Sequence, residues 1–118
     1  MVKVSFDYDS SSDALYLFDE SRKSAYSVEF SSSIIADVDA NGNICGLEIL
    51  NASEEMGVSK RDLEKIKDAE LSTLSKKGAL VGAGFILMLA ANEVIKSKLM
   101  MPARSPCSSL QSGNKSRR

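Results

Sequence analysis

IIADVDANGNICGLEILNAS, running from Ile34 to Ser53, is the stretch whose reading decides the fold. Asp37, Asp39, Asn41, Gly42 and Glu48 match the spacing of a calcium-binding EF-hand loop, with Ile44 at its apolar position. The same residues also spell a β-hairpin. A two-residue turn at Asn41-Gly42, a dipeptide that readily supplies two positive φ angles, opposes Val38 to Cys45, Ala36 to Leu47 and Ile34 to Ile49. One face is then wholly apolar. The other carries Asp37 opposite Gly46 and Ile35 opposite Glu48, as in a strand pair with one side against a core. A slip of one residue would set Ile34 against Glu48 and spoil the apolar face.

An EF-hand needs a helix on each side of its loop. Upstream, Tyr26, Val28 and Phe30 alternate with polar residues, and Ser33 and Ala36 are too small to build the face of an entering helix. Downstream, no helix start signal appears before Ser59. The hairpin is therefore the expected structure, and the calcium motif reads as a coincidence of turn chemistry. A divalent-cation site at Asp37, Asp39, Asn41 and Glu48 stays as the alternative function.

The strands continue toward the N-terminus. Val2, Val4, Phe6 and Tyr8 alternate with Lys3, Ser5 and Asp7 as a half-buried strand, and Asp9 to Asp13 is a turn of short polar side chains. Ala14 to Phe18 returns as a second strand, and Ala25 to Phe30 is a third. Short polar connections favour antiparallel neighbours, so the expectation is a meander of about five strands. After it, Ser59 as N-cap, Asp62 three residues on and the apolar pair Val58 and Leu63 specify a helix start, with Leu63, Ile66 and Leu71 as its stripe.

Gly78 to Met101 is the hardest segment. Its apolar run ends at Ala91, short of the roughly twenty residues that span a bilayer, and Asn92 and Glu93 interrupt it, so no membrane span is expected. An apolar helix over 79–99 would hold Gly82 and Gly84 in its interior at about 1 kcal/mol each. A hairpin bending at Ala91-Asn92-Glu93 fits better, because Ile95, Ser97 and Leu99 alternate with Lys96 and Lys98. The fold class expected is thus α+β, with residues 1–101 as one domain. Residues 102–118, serine-rich and polar, read as a flexible tail.

Composition limits the chemistry. Of 118 residues none is histidine, which removes Ser-His and Cys-His catalysis and most zinc sites. Cys45 and Cys107 read as a core thiol and a tail thiol rather than a disulfide framework. No signal-peptide pattern opens the chain, so a cytoplasmic protein is expected. The first 57 residues carry three basic and eleven acidic residues, the remainder twelve and five. Such a split suits halves that attract each other or another copy. With no aromatic residue after Phe85 to stack on bases, nucleic-acid binding is not the expectation.

Two motifs at a consistent separation carry a family resemblance over Val2 to Leu63. Tyr8, Asp9, Asp13, Ala14, Leu15 and Tyr16 form the first; Asp37, Asp39, Gly42, Gly46, Glu48, Ile49, Leu50, Ala52 and Ser53 form the second. Together they resemble the small, mostly prokaryotic family catalogued as domain of unknown function 2283. The resemblance implies an antiparallel sheet followed by a helix, no established activity and, for some members, an antitoxin-like place beside a toxin. No catalytic residue, metal or cofactor is assigned. The acidic residues Asp7, Asp9, Asp13, Asp37, Asp39 and Glu48 are candidates to converge at one sheet edge. Glu48, set in an apolar run, is the position to watch for burial. The functional expectation is a non-catalytic interaction or oligomerisation module, binding a protein partner or a second copy through its sheet or its late apolar segment.

Overall fold

In the computed structural model, which describes residues 2–101, the hairpin reading of Ile34 to Ser53 holds. Strands β4 (Ile34–Val38) and β5 (Ile44–Ile49) pair antiparallel, with Ile34 opposite Ile49, Ile35 opposite Glu48, Ala36 opposite Leu47 and Asp37 opposite Gly46. Strands, not helices, flank the calcium-like motif. The turn itself differs from the expected one. Val38 pairs with Ile44 rather than Cys45, because a three-residue loop, Ala40-Asn41-Gly42, replaces the two-residue turn and a bulge at Cys45 restores the register. Only Gly42 of that loop has positive φ, at 83°, the pattern of a type I turn closed by a left-handed glycine.

The remaining strands are β1 (Val2–Asp9), β2 (Ala14–Phe18), β3 (Tyr26–Ser31), β6 (Asp68–Lys76), β7 (Ala79–Met88) and β8 (Val94–Met100). All eight form one antiparallel sheet in the order β3-β4-β5-β2-β1-β6-β7-β8. The first five strands are not a simple meander. β2 lies beside β5, not β3, so β2 to β5 form a Greek key in which residues 19–25 cross the end of the β4-β5 hairpin.

A second correction concerns the segment after Ser59. Its hydroxyl does accept the Asp62 N–H at 3.0 Å, but the helix, α2 (Lys60–Leu63), is a single turn. Leu71 belongs to β6, where Ala69 and Leu71 point inward and Glu70 outward. Another short helix, α1 (Ala52–Met56), precedes it. With eight strands, two short α-helices and one 3-10 turn (Ala90–Asn92) among the described residues, the protein is sheet-rich, and the helical share implied by an α+β label is slight. The late segment is a strand pair, as preferred over the helix, but β7 pairs with β6 as well as β8. Lys77 and Gly78 both have positive φ, 54° and 79°, so the two-residue turn expected at Asn41-Gly42 occurs instead between β6 and β7.

β1 serves two arms of the sheet. Its residues Ser5 to Asp9 pair with β2, and Val2 to Val4 pair with β6. The arms enclose one core, to which Leu15, Leu17, Val38, Leu47 and Ile49 contribute from the first and Ala69, Leu71, Ala83, Phe85 and Leu87 from the second. A polar clasp also joins them: Thr73 Oγ1 on β6 accepts the backbone N–H of Ile44 at 2.9 Å. Leu63 and Ile66 are buried, but not as a helical stripe: Leu63 ends the single turn of α2 and Ile66 lies in the segment after it. No helix among the described residues is long and apolar enough to cross a membrane. The expected tail, 102–118, lies outside the described residues.

Candidate functional site

The acidic residues singled out from the sequence do not converge. Asp13, Asp37 and Asp39 each head a separate hydrogen-bonded group at a different joint of the fold, Asp9 caps its own turn, and Asp7 is exposed on β1 opposite Tyr16. Asp13 closes the β1-β2 turn in the left-handed region, at φ 55°. Its carboxylate accepts the Tyr8 hydroxyl at 2.7 Å and the Ser53 hydroxyl at 2.7 Å, while its carbonyl accepts the Ala52 N–H at 2.9 Å. The start of α1 is thereby anchored to the first turn, forty residues earlier in the chain. Burial opposes ionisation of Asp13, but the bonds from Tyr8 and Ser53 outweigh it and hold the carboxyl below the usual carboxylate range. Burial, with Asp13 beside it, pushes the Tyr8 hydroxyl well above its ordinary value.

Asp37 holds the second group, on the outward face of the first arm. Its Oδ2 accepts the Tyr16 hydroxyl at 2.7 Å and its Oδ1 accepts the Ser27 hydroxyl at 2.9 Å. Tyr16 is on β2 and Asp37 on β4, so their bond passes over β5, and it passes at Gly46. A Cβ built on Gly46 would lie 2.8 Å from Asp37 Oδ2 and 3.0 Å from the Tyr16 hydroxyl oxygen. The glycine is there because the bridge occupies the place of a side chain. Desolvation and the bond to Asp37 push Tyr16 up to about 12. Phe18 stacks on Tyr16, with ring centroids 4.9 Å apart.

Asp39 builds the third. One oxygen accepts the backbone N–H groups of Asn41 and Asn43 at 2.9 and 3.0 Å, and the other accepts Arg22 Nη1 at 2.6 Å. The Asn43 amide, with Arg22 beside it, lowers the pKa of Asp39 against the effect of burial. Arg22 also donates to Asp19, which joins the crossing segment to the turn. Asp9 caps its own turn by accepting the Ser11 N–H and hydroxyl.

Of the four cation candidates, then, Asp37 and Asp39 are held by separate donors of the fold, and Asn41 is an exposed loop residue whose backbone binds Asp39. Glu48 stands half-buried between Tyr16 and Ile35, on the open outer face rather than in an enclosed cleft. Among the described residues no group of three or more acidic or sulfur side chains is placed to hold a metal ion. Of the other motif positions, Leu15, Ile49 and Ala52 are buried in the core, Ala14 pairs with Asp9, and Leu50 donates its N–H to Ser33. The part played by Arg22 was not foreseen from sequence. The crossing of residues 19–25 over the hairpin is what brings it to Asp39.

A cavity of about 260 Å³ opens where β1 leaves β2 for β6. Val2, Val4, Ile44 and Leu71 line its floor; Asp19, Arg22 and Thr73 stand at its walls, already bonded to neighbours.

These features define a small sheet protein whose shared polar motifs fasten its own turns and strands. It belongs to the family described as protein of unknown function (DUF2283), whose sequence profile matches residues 5–53. An uncharacterised protein of Methanocaldococcus jannaschii is 34% identical over 101 residues, covering 84% of this chain and 86% of that one. A protein of Methanosarcina mazei named "Putative hypoxanthine phosphoribosyltransferase" is 32% identical over 62 residues, 52% of this chain and 50% of that protein. No solved structure matches the chain.

Proposed function

We propose that this chain is a non-catalytic interaction module of the cytoplasm that works by associating with protein, a second copy foremost. The observation that carries the reading is the outward face of β7 and the edge strand β8, where the cross-strand neighbours Met88 and Val94 are 37% and 45% exposed beside Ile86. Large apolar side chains grouped on one face mark an interaction surface more often than scattered ones do. The motif aspartates support the same reading, since Asp9, Asp13, Asp37 and Asp39 are each spent on bonds that hold the fold. Multi-angle light scattering on the full chain, with co-purification from cell extract, tests it. A mass above that of the monomer, or a stoichiometric partner, is expected. A monomer at high micromolar concentration that recovers no partner refutes it.

A further inference from the structure

The outward face of the second arm carries an ordered charge pattern. Strand pairing sets Glu70 of β6, Ile86 of β7 and Lys96 of β8 side by side in one row across the sheet. The rows on either side are Asp68, Met88 and Val94, and Ser72, Gly84 and Lys98. The face therefore runs from acidic through apolar to basic. Glu70, Ile86 and Lys96 alternate with the inward Leu71, Phe85, Leu87 and Ile95, so all three point away from the core. The acidic side is only loosely engaged: Lys3 of β1, the cross-strand neighbour of Glu70, pairs with Asp68 at 3.7 Å, and these side chains are 74% and 49% exposed, an arrangement worth little.

Resting on the reading above, we infer that this face is self-complementary and forms a two-fold dimer by stacking on the same face of a second copy. A half-turn about an axis parallel to β7 leaves β7 over β7 and exchanges β6 with β8. Glu70 of each copy then meets Lys96 of the other, and Ile86 meets Ile86. The charge contact is made twice and the Ile86 contact lies on the axis, as a closed two-fold interface requires. Packed sheets lie about 10 Å apart with strands within about 30° of one another, a gap that a lysine and a glutamate span together.

Charge separates this arrangement from the other ways two copies could meet. The outward face of the first arm presents Asp7, Glu29, Asp37 and Glu48 on its strands, so stacking it on itself opposes acid to acid. Edge pairing of β8 with β8 about Ser97 sets Lys96 beside Lys98, a like-charge pair of the kind that guards exposed edges. Of these three surfaces, the β6-β7-β8 face is the one with opposite charges on the two sides of an apolar centre. Three strands of seven residues cover roughly 14 × 23 Å, less than the ~800 Å² per partner of a standard interface, so the dimer is weak and salt-sensitive.

Sedimentation equilibrium of the full chain at low salt tests the surface, using Glu70→Lys, Lys96→Glu and the double exchange, with circular dichroism to show that each folds. The expected wild-type dimer dissociates in the micromolar range. Each single reversal weakens it at least about tenfold, because it sets two like-charged contacts across the axis. The double exchange restores the affinity to within about threefold. Glu70→Gln and Lys96→Gln, which weaken without repulsion, serve if a reversal fails to fold. A dimer indifferent to all of these overturns the surface while leaving self-association standing. A monomer at about 500 µM overturns the dimer, and co-purification then decides separately whether the chain binds another protein.

Discussion

Replacing Gly46 by alanine tests whether the tyrosine-aspartate bridge is the reason for glycine in the second motif. The new methyl group would sit 2.8 Å from Asp37 Oδ2, 3.0 Å from the Tyr16 hydroxyl and 3.3 Å from Asp37 Cβ. The backbone of β4 is hydrogen-bonded on both sides, so Asp37 has to swing rather than shift, and the swing breaks its bond to Tyr16. A hydrogen bond to a charged group contributes about 1.5 to 3 kcal/mol, and this one is partly exposed, so the loss belongs at the lower end, about 1.5 kcal/mol. Thermal and urea denaturation of four proteins, wild type, Gly46→Ala, Tyr16→Phe and the double variant, closes a cycle. Each single change should lower Tm by roughly 5 to 10 °C. In the Tyr16→Phe background the bond is already gone and the methyl group has more room, so alanine should cost less than half as much. Full additivity, or an unaltered Tm in Gly46→Ala, would refute the argument that the bridge excludes a side chain.

Asp13→Ala should cost about 2 to 3 kcal/mol by urea denaturation, since it orphans the Ser53 N–H and removes the partner of the part-buried Tyr8 hydroxyl. Thr73→Val should cost about 1 to 3 kcal/mol, and the Ile44 amide should become one of the faster-exchanging protons of β5. In acid, the folded-state pKa values of Asp9, Asp13, Asp19 and Asp39 lie below the ordinary aspartate value of 3.8, so their contribution is complete above that value and is lost as pH falls through the depressed ones. A denaturation series should therefore be nearly flat from about pH 5 to 8, in a chain with no histidine, and fall below about pH 4. In alkali the sign reverses: Tyr16 ionises near 10 when unfolded and near 12 when folded, so stability should decline between those values, and Tyr16→Phe should decline less.

The first arm was legible because its signals are local and agree with one another. Alternation fixed β1 and β2, and the apolar pairing of Ile34 to Ile49 fixed the hairpin register at four positions. Turn geometry was less legible, since Asn-Gly fits both the two-residue turn and the glycine position of a three-residue loop. The choice fell to Asp39, whose side chain takes two backbone N–H groups of the longer loop. β6 was misread for a different reason. Asp68, Glu70 and Lys76 are poor strand formers, and a valid helix start at Ser59 suggested a helix that tertiary pairing with β1 and β7 cuts off after one turn. The alternation of Ala69, Leu71 and Thr73, followed by Lys77-Gly78, was the signal available. No local pattern announces the Greek-key crossing or the Asp13-Ser53 contact, because both depend on residues far apart in sequence.

The division of β1 between the two arms bears on how the protein comes apart. Continuity of the sheet across that boundary rests on three residue pairs, Val2 with Leu71, Lys3 with Glu70 and Val4 with Ala69. The profile match begins at Ser5, the first residue of β1 to pair with β2, so the recurring family unit coincides with the arm that closes on itself. Opening at Val2 to Val4, with loss of the Thr73-Ile44 bond and of the core contacts between the arms, would release β6, β7 and β8 together while the Greek key stays paired. The amides of the last three strands should then exchange with solvent as one cooperative unit at a lower free energy than those of β2 and β5, making the second arm a separable foldon.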